Sequence, residues 1–446
     1  MGMVSLKGMR NYKCDMKPED PDYTCEEGRA ARCMYNGTVG CKLSAAEMAA
    51  ASSSLVVSNY SKWTSSKKFG LGMGHFAQVM FDEGHNMPEE LSKAVQVVLS
   101  PPEINDKLLM DFPSPHEAED DMLVWKRWAQ VSKERAEEMM LAARARITGV
   151  SNPKTTHVKH YSHMRNLCRR LNILATVRVQ DWVVEEIRNG PIFQGYKFDP
   201  IRPARYAESC LFMHTDSVVA VSATIRPKTG YMCGVAAAIT DFHEYPSEFD
   251  PARSPVYYLP ATQVRRGNSM DQIWLKHDQF AAMRQDRLGL VHTVSHQRRE
   301  EIMSFSRFAE RMEFNERGEN VAHAIERWQS RYPGGIFVTP SVEEGYDFAF
   351  KQCEWQFLCR IPFEPPSKIL KAREADDKEY RPYTSVQRLV QAVGRIMRDK
   401  RDQGESLICD AQMDWFWPRW SYLAPKSFNR IFIPVSRVPP PPPRLD

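Results

Sequence analysis

Short apolar runs alternate with longer segments of helical period along most of the chain. "FAQVMF", "SVVAVSATI", "LGLVHTVSH", "GGIFVTP", "EWQFLCRIPF" and "ESLICDA" are apolar and rich in β-branched or aromatic residues, as buried strands are. Segments such as "QRREEIMSFSRFAERM" and "SVQRLVQAVGRIMRD" carry apolar residues at helical spacing. Strands alternating with helices predict an α/β protein built on parallel sheets. The stretch from about Pro88 to Asn189 departs from this pattern and predicts helices, the longest in "EDDMLVWKRWAQVSKERAEEMMLAARARI". Nearer the start, "SAAEMAAA" predicts a helix and "SLVVSNY" a strand. The terminal "VPPPPPR" reads as a solvated end.

At 446 residues the chain is too long for one typical domain. Its 42% hydrophobic and 26% charged residues are an ordinary globular mixture. A net charge of +4 supplies no global field, so contact with nucleic acid has to come from local patches. No apolar run reaches membrane-spanning length and no signal-peptide pattern opens the chain, so no membrane partner is expected and the sequence reads as intracellular.

Candidate chemistry begins at "VMFDEGHN", Val79 to Asn86. In a parallel sheet the loops at the carboxyl ends of strands line the binding crevice, and this acidic pair sits directly behind an apolar run. An aspartate there can hold Mg²⁺, and a neighbouring glutamate can orient or deprotonate an attacking water. A solvated acidic turn is the plain alternative. In "TSVQRLVQAVGRIMRD", Val386, Val390, Val393 and Met397 form one apolar stripe. Gln391, Arg395 and Arg398, at i, i+4 and i+7, share another face of the predicted helix. Thr384 with Gln387 reads as a capping box that starts it. Two guanidiniums and an amide on one face suit a phosphate chain.

Four of the ten cysteines, Cys14, Cys25, Cys33 and Cys41, crowd into the first tenth of the chain. In a reducing compartment such a group suggests a metal before it suggests disulfides. Their spacing matches neither the close pairs of structural zinc nor simple ferredoxin spacing, so spacing alone leaves the ligand open. The segment from Asn152 to Arg170, "NPKTTHVKHYSHMRNLCRR", is basic and holds no acid, which fits a nucleic-acid contact or a solvated helix.

The ordered series "NYKC", four cysteines, "LVVSNY", "FDEGHN", "VSATI", "EEGYDF" and "QAVGRIMR" resembles the XPD/DinG family of superfamily 2 iron–sulfur DNA helicases over nearly the whole chain. The resemblance implies two RecA-like motor domains with parallel sheets, the first discontinuous. Residues 1–95 would form the first motor with a four-cysteine insertion at about 12–45, and 96–200 a helical arch-like insertion. Residues 201–242 would return to the first motor, 243–438 would form the second, and 439–446 a proline-rich tail.

By the same resemblance, Asp82 and Glu83 are the Mg²⁺ and water-activating carboxylates of a DEAH-type box, and His85 couples nucleotide to a neighbouring motif. Gly84 stands where the family usually has alanine, the loss of one methyl. Ser222, Ala223 and Thr224 match the motif linking hydrolysis to DNA movement. Glu344, Gly345 and Asp347 match a nucleotide-sensing motif, and Gln391, Arg395 and Arg398 the arginine-finger motif. Cys14, Cys25, Cys33 and Cys41 would ligate a [4Fe–4S] cluster, with zinc as the alternative. Arg10 is similar in position to a DNA-contacting arginine, and Tyr12 offers a stacking face. ATP would be the substrate, and single-stranded or forked DNA the partner.

A helicase of this kind needs a phosphate loop, G-x-x-x-x-G-K-[ST], and the sequence contains no Gly-Lys followed by Ser or Thr. Three explanations compete: a start codon called too late, a split gene whose upstream-encoded chain supplies the loop, or a decayed gene. A non-hydrolysing DNA-binding protein with the motor fold is the competing expectation.

Overall fold

A computed structural model describes residues 3–33, 36–68, 73–114, 121–265, 267–316, 319–340 and 348–444. The chain divides into two compact units. The first comprises residues 1–221, 229–240 and 366–377, and the second 222–228, 241–365 and 378–446.

In the first unit, β1 (Met3–Ser5) pairs in parallel with β2 (Leu55–Val57), and β3 (Phe76–Phe81) in parallel with β7 (Thr215–Ala220). Between β3 and β7 in sequence lie β4 (Val97–Leu99), β5 (Trp182–Asn189) and β6 (Ile192–Pro200). These three form an antiparallel sheet in the order β4-β6-β5. Two long antiparallel-sequence partners, the helices Met122–Ala145 and Thr155–Thr176, cover it. Asp121 caps the first of these helices, accepting from the Leu123 N–H at 2.7 Å. Its buried Met122, Trp125, Ala129, Ser132 and Ala136 recur every three or four residues, the spacing of one helix face. That face meets Leu167 and Leu171 of the second helix and Trp182 and Phe198 of the sheet in one core.

The stretch Pro88–Asn189 is therefore not helical throughout, because it holds β4 and β5, the first strand of the β5–β6 hairpin. The turn of that hairpin is Gly190-Pro191, between the paired Asn189 and Ile192, with Gly190 at φ 59°, a conformation that glycine takes without strain.

The second unit holds a seven-stranded parallel sheet. Its strands are β8 (Val256–Thr262), β9 (Gly289–His292), β10 (Met312–Glu313), β11 (Ile336–Thr339), β12 (Trp355–Leu358), β13 (Glu405–Asp410) and β14 (Phe432–Pro434). The order is β10-β11-β9-β12-β13-β8-β14. Every residue of β9, β12 and β13 is buried, as expected for central parallel strands covered on both faces. Two apolar cores line the sheet, one around Trp274, Phe280 and Phe357, the other around Trp328, Phe337 and Ile396.

The polyproline tail is not a solvated end. Val438 is buried, and the tail carbonyls accept hydrogen bonds from the second unit. Arg284 donates to Pro439 O (3.1 Å), Arg287 to Pro442 O (2.8 Å) and Gln403 to Pro443 O (2.6 Å). Arg444 pairs with Glu354 at 2.8 Å. Proline lacks an N–H, so the proline run itself can act only as an acceptor, and Arg284, Arg287 and Gln403 provide the donors.

Candidate functional site

Phe81, the last residue of β3, lies in register with Ala220, the last residue of β7. The acidic turn and the chain continuing toward Ser222 thus leave the parallel pair at the same, carboxyl end. Backbone bonds lock this end: Val221 N–H donates to Phe81 O (2.9 Å) and Gly84 N–H to Val221 O (2.8 Å). A methyl on Gly84 would stand 2.8 Å from the Ala220 Cβ and 3.2 Å from its Cα, so the glycine is what allows the approach. In this chain the missing methyl is a steric requirement rather than a slight departure.

Glu83 adopts φ 46°, ψ 46°, a left-handed conformation uncommon for a residue with a side chain and frequent where function imposes it. Both Asp82 and Glu83 are exposed. The Asp82 carboxylate accepts the Glu83 N–H at 3.0 Å, and the Asp82 carbonyl accepts the Tyr60 hydroxyl at 2.9 Å. Tyr60 stacks on Phe81 with ring centroids 5.5 Å apart, so the turn rests on an aromatic pair. The His85 ring, its side chain buried, lies 3.3 Å from the Glu83 carboxylate. Asp82, Glu83 and His85 are thus brought together on one turn.

Ser222, Ala223 and Thr224 belong to the second unit by its contacts. Thr224 is buried, and its N–H donates to the Ser222 hydroxyl at 3.2 Å. Glu344, Gly345 and Asp347 lie outside the described residues.

The arginine motif differs from its expected geometry. The helix runs Tyr380–Val393, its N-cap is Glu379, and Thr384 bonds back to the Arg381 carbonyl (3.1 Å) inside it. No capping box forms at Thr384. At Gly394 the helix gives way to a tight turn over Gly394–Ile396, and Met397 is extended. Gln391, Arg395 and Arg398 therefore do not share one helix face. Arg395 is buried and Arg398 exposed. A buried polar chain anchors the helix end: Gln356 donates to Val393 O (2.9 Å) and to Ser406 Oγ (2.9 Å), and its oxygen meets His292 Nε2 at 3.0 Å. Burial holds His292 down at about 4, outweighing its bond to Gln356, with the Arg395 charge adding to the lowering. The buried Asp402 carboxylate orders the next loop, accepting N–H groups of Asp399 (2.7 Å) and Phe350 (2.8 Å) as well as that of Arg398. Neither Gln356 nor Asp402 is visible as functional in the sequence, because each acts through a partner tens of residues away.

Cys14, Cys25, Cys33 and Cys41 converge. All four are buried in one small core with Tyr23, Leu43, Ile147 and Val158. Cys25 opens the helix Cys25–Ala30, which Thr24 and Glu27 cap reciprocally. Cys41 precedes the helix Lys42–Ala51. The Cys14 and Cys33 sulfurs are 3.8 Å apart. A methyl on Gly28 would come within 2.5 Å of the Cys14 sulfur, so only glycine lets the helix Cys25–Ala30 close over the sulfurs. Burial pushes the Cys14 thiol up to about 11 and Cys25 up to about 12. For Cys41 burial acts in the same direction, but hydrogen bonds from Ser44 and Leu43 outweigh it and hold the thiol below its ordinary value. Among the described residues, no three His, Cys, Asp or Glu side chains form a group that could hold a metal ion.

Arg10 pairs with Glu26, and the Tyr12 hydroxyl accepts the Lys7 N–H at 3.1 Å. In the basic helix, Arg170 is structural, bonding Val98 O and Glu103. Lys154 and Lys159 are exposed.

Residues 282–429 match the family described as the helicase C-terminal domain. No curated protein sequence matches the chain. A solved structure titled XPD helicase is similar over 98% of this chain and 87% of its own, with TM-score 0.62 and 12% identity. A second, titled XPD apo, is similar over 97% and 87%, with TM-score 0.52 and 13% identity. Identities this low carry the likeness of fold alone. The fold is that of the solved XPD helicase structures, and residues 282–429 match a helicase C-terminal domain, in agreement with the resemblance drawn from the sequence.

Proposed function

We propose that the chain is the motor of an ATP-dependent DNA helicase. The observation that carries this reading is the Phe81–Ala220 register, which sets Asp82, Glu83 and His85 at the carboxyl end of a parallel strand pair. Asp82 would hold Mg²⁺, whose chemistry is to neutralise phosphate charge, and Glu83 would orient the attacking water. Arg398 is the exposed cation of the arginine motif, on a loop ordered by Asp402, while Arg395 is buried. DNA contact falls to the exposed Lys154 and Lys159, with Arg10 and Tyr12 near the cysteine pocket.

The phosphate loop is to be supplied by a further strand–loop–helix segment, on this polypeptide or another. Supporting this, parallel strands that should be covered on both faces present apolar side chains to solvent, with Met80 65% and Leu55 55% exposed.

The cysteine pocket is proposed to hold a [4Fe–4S] cluster. The donor set that supports this is four cysteine sulfurs buried in one core, over which Gly28 lets the helix Cys25–Ala30 close. A cluster supplies one-electron redox capacity and ties the four ligands together. Anaerobic loading with iron and sulfide should give stoichiometric uptake of both, lost in Cys33→Ser and kept in Cys409→Ser. Zinc uptake without sulfide would overturn the assignment.

The decisive test of the motor is phosphate release stimulated by single-stranded DNA, with the chain alone and with the loop-bearing segment added. Hydrolysis that appears on addition and vanishes in Glu83→Gln supports a helicase. Tight DNA binding with no hydrolysis in either case favours the second reading, a non-hydrolysing DNA-binding protein, to which the absent Gly-Lys-Ser/Thr motif points.

A further inference from the structure

Tyr23 is fully buried in the core that holds the four cysteines, and its hydroxyl has no hydrogen-bond partner among the described residues. A buried hydroxyl left unsatisfied is costly, and natural structures keep one where a further group completes it. The backbone fixes the position of the side chain. Cys14 N–H donates to Tyr23 O (3.2 Å), Tyr23 N–H to Asp20 O (3.1 Å), and Lys13 and Thr24 form an antiparallel bridge on either side. Tyr23 is thereby held beside Cys14 and two residues before Cys25. The Lys17 ammonium sits 5.4 Å from the centre of the phenol ring and is itself tied to Pro153 O (2.7 Å) and Thr155 Oγ1 (3.1 Å), so the ring has little freedom to turn.

We infer that the Tyr23 hydroxyl donates a hydrogen bond to sulfur, of a cysteine ligand or of the cluster, when the four-cysteine pocket is loaded. This rests on the iron–sulfur reading of that pocket. A hydrogen bond to sulfur stabilises the more negative, reduced cluster and so raises its reduction potential. Tyr23→Phe removes the donor and keeps the ring.

The test uses the full chain loaded anaerobically with ferrous iron and sulfide. Tyr23→Phe should bind the same iron and sulfide as the natural chain and show a lower reduction potential by voltammetry. The cluster-free variant should melt at the same temperature or higher, because it has lost only an unsatisfied hydroxyl. In the natural chain, transfer to deuterated water should shift the iron–sulfur stretching bands, a readout that stands even if the variant folds poorly. Equal potentials with bands unmoved by deuteration, in a chain that does carry the cluster, overturn the Tyr23 role alone. Failure of the natural chain to bind sulfide overturns the cluster reading and this inference with it.

Discussion

Arg284 and Glu405 meet as a two-pronged pair with both side chains fully buried, at 2.7 and 2.6 Å. The guanidinium also donates to Phe280 O (3.0 Å) and to the tail at Pro439. Removing one partner strands the other charge in the interior. Glu405→Leu or Arg284→Met should each cost about 3–5 kcal/mol. The double replacement Arg284→Met with Glu405→Leu should recover much of that loss. Urea unfolding followed by tryptophan fluorescence measures all three, and additive costs in the double variant would refute the pairing as the cause.

His292 makes stability acid-sensitive. Its folded value of about 4 lies below the ordinary histidine value of 6.5, so between those pH values the unfolded chain binds a proton that the folded chain excludes. Stability should therefore fall as pH drops from about 6.5 to 4, by roughly 3 kcal/mol at one pH unit per 1.36 kcal/mol. His292→Gln should flatten this part of the profile. The slope that remains belongs to other groups such as His277, which burial also lowers.

Gly84 and Ala220 are sterically coupled. Gly84→Ala should lower stability by about 1–3 kcal/mol through overpacking and displace the turn bearing Glu83. Ala220→Gly in the same chain should restore most of the loss, which a double-mutant cycle reads as coupling. Purely additive effects would count against the contact.

Arg395 and Arg398 should separate by phenotype. Arg395→Ala, truncating a buried side chain at the anchored helix end, should cost about 1–3 kcal/mol of stability. Arg398→Ala should change stability by no more than about 0.5 kcal/mol. In a complete motor it should cut hydrolysis by 10³ or more, as loss of an arginine finger does, while DNA binding persists. An unchanged rate would return Arg398 to the solvated surface.

The second unit was legible in the sequence because central parallel strands are buried on both faces. "LGLVHTVSH", "EWQFLCRIPF" and "ESLICDA" are predominantly apolar or aromatic, and each contains its strand. The β5–β6 hairpin was missed although Asn189-Gly190 is a strong turn signal. Glu185, Glu186 and Arg188 are good helix formers, and they masked the alternation. The arginine helix was extended too far because periodicity was followed through Gly394, where a glycine more often marks a helix end. The Thr384/Gln387 pair reads as a capping box and so sets the start too late, whereas the helix already runs from Tyr380. The cysteine group was visible by density, yet its orphan hydroxyl at Tyr23 is a property of three-dimensional closure that no local pattern records.

The residues that grip the tail all cluster where strands begin. Arg287 precedes β9, Glu354 precedes β12, and Gln403 precedes β13. The tail thus underlines the amino ends of the second unit's strands, opposite the carboxyl-end loops where sheets of this kind bind ligands. This gives the second unit a natural handle. A tether attached beyond Arg444 would hold that unit by its base and leave its carboxyl-end loops facing the solution, a favourable orientation for surface-immobilised binding measurements.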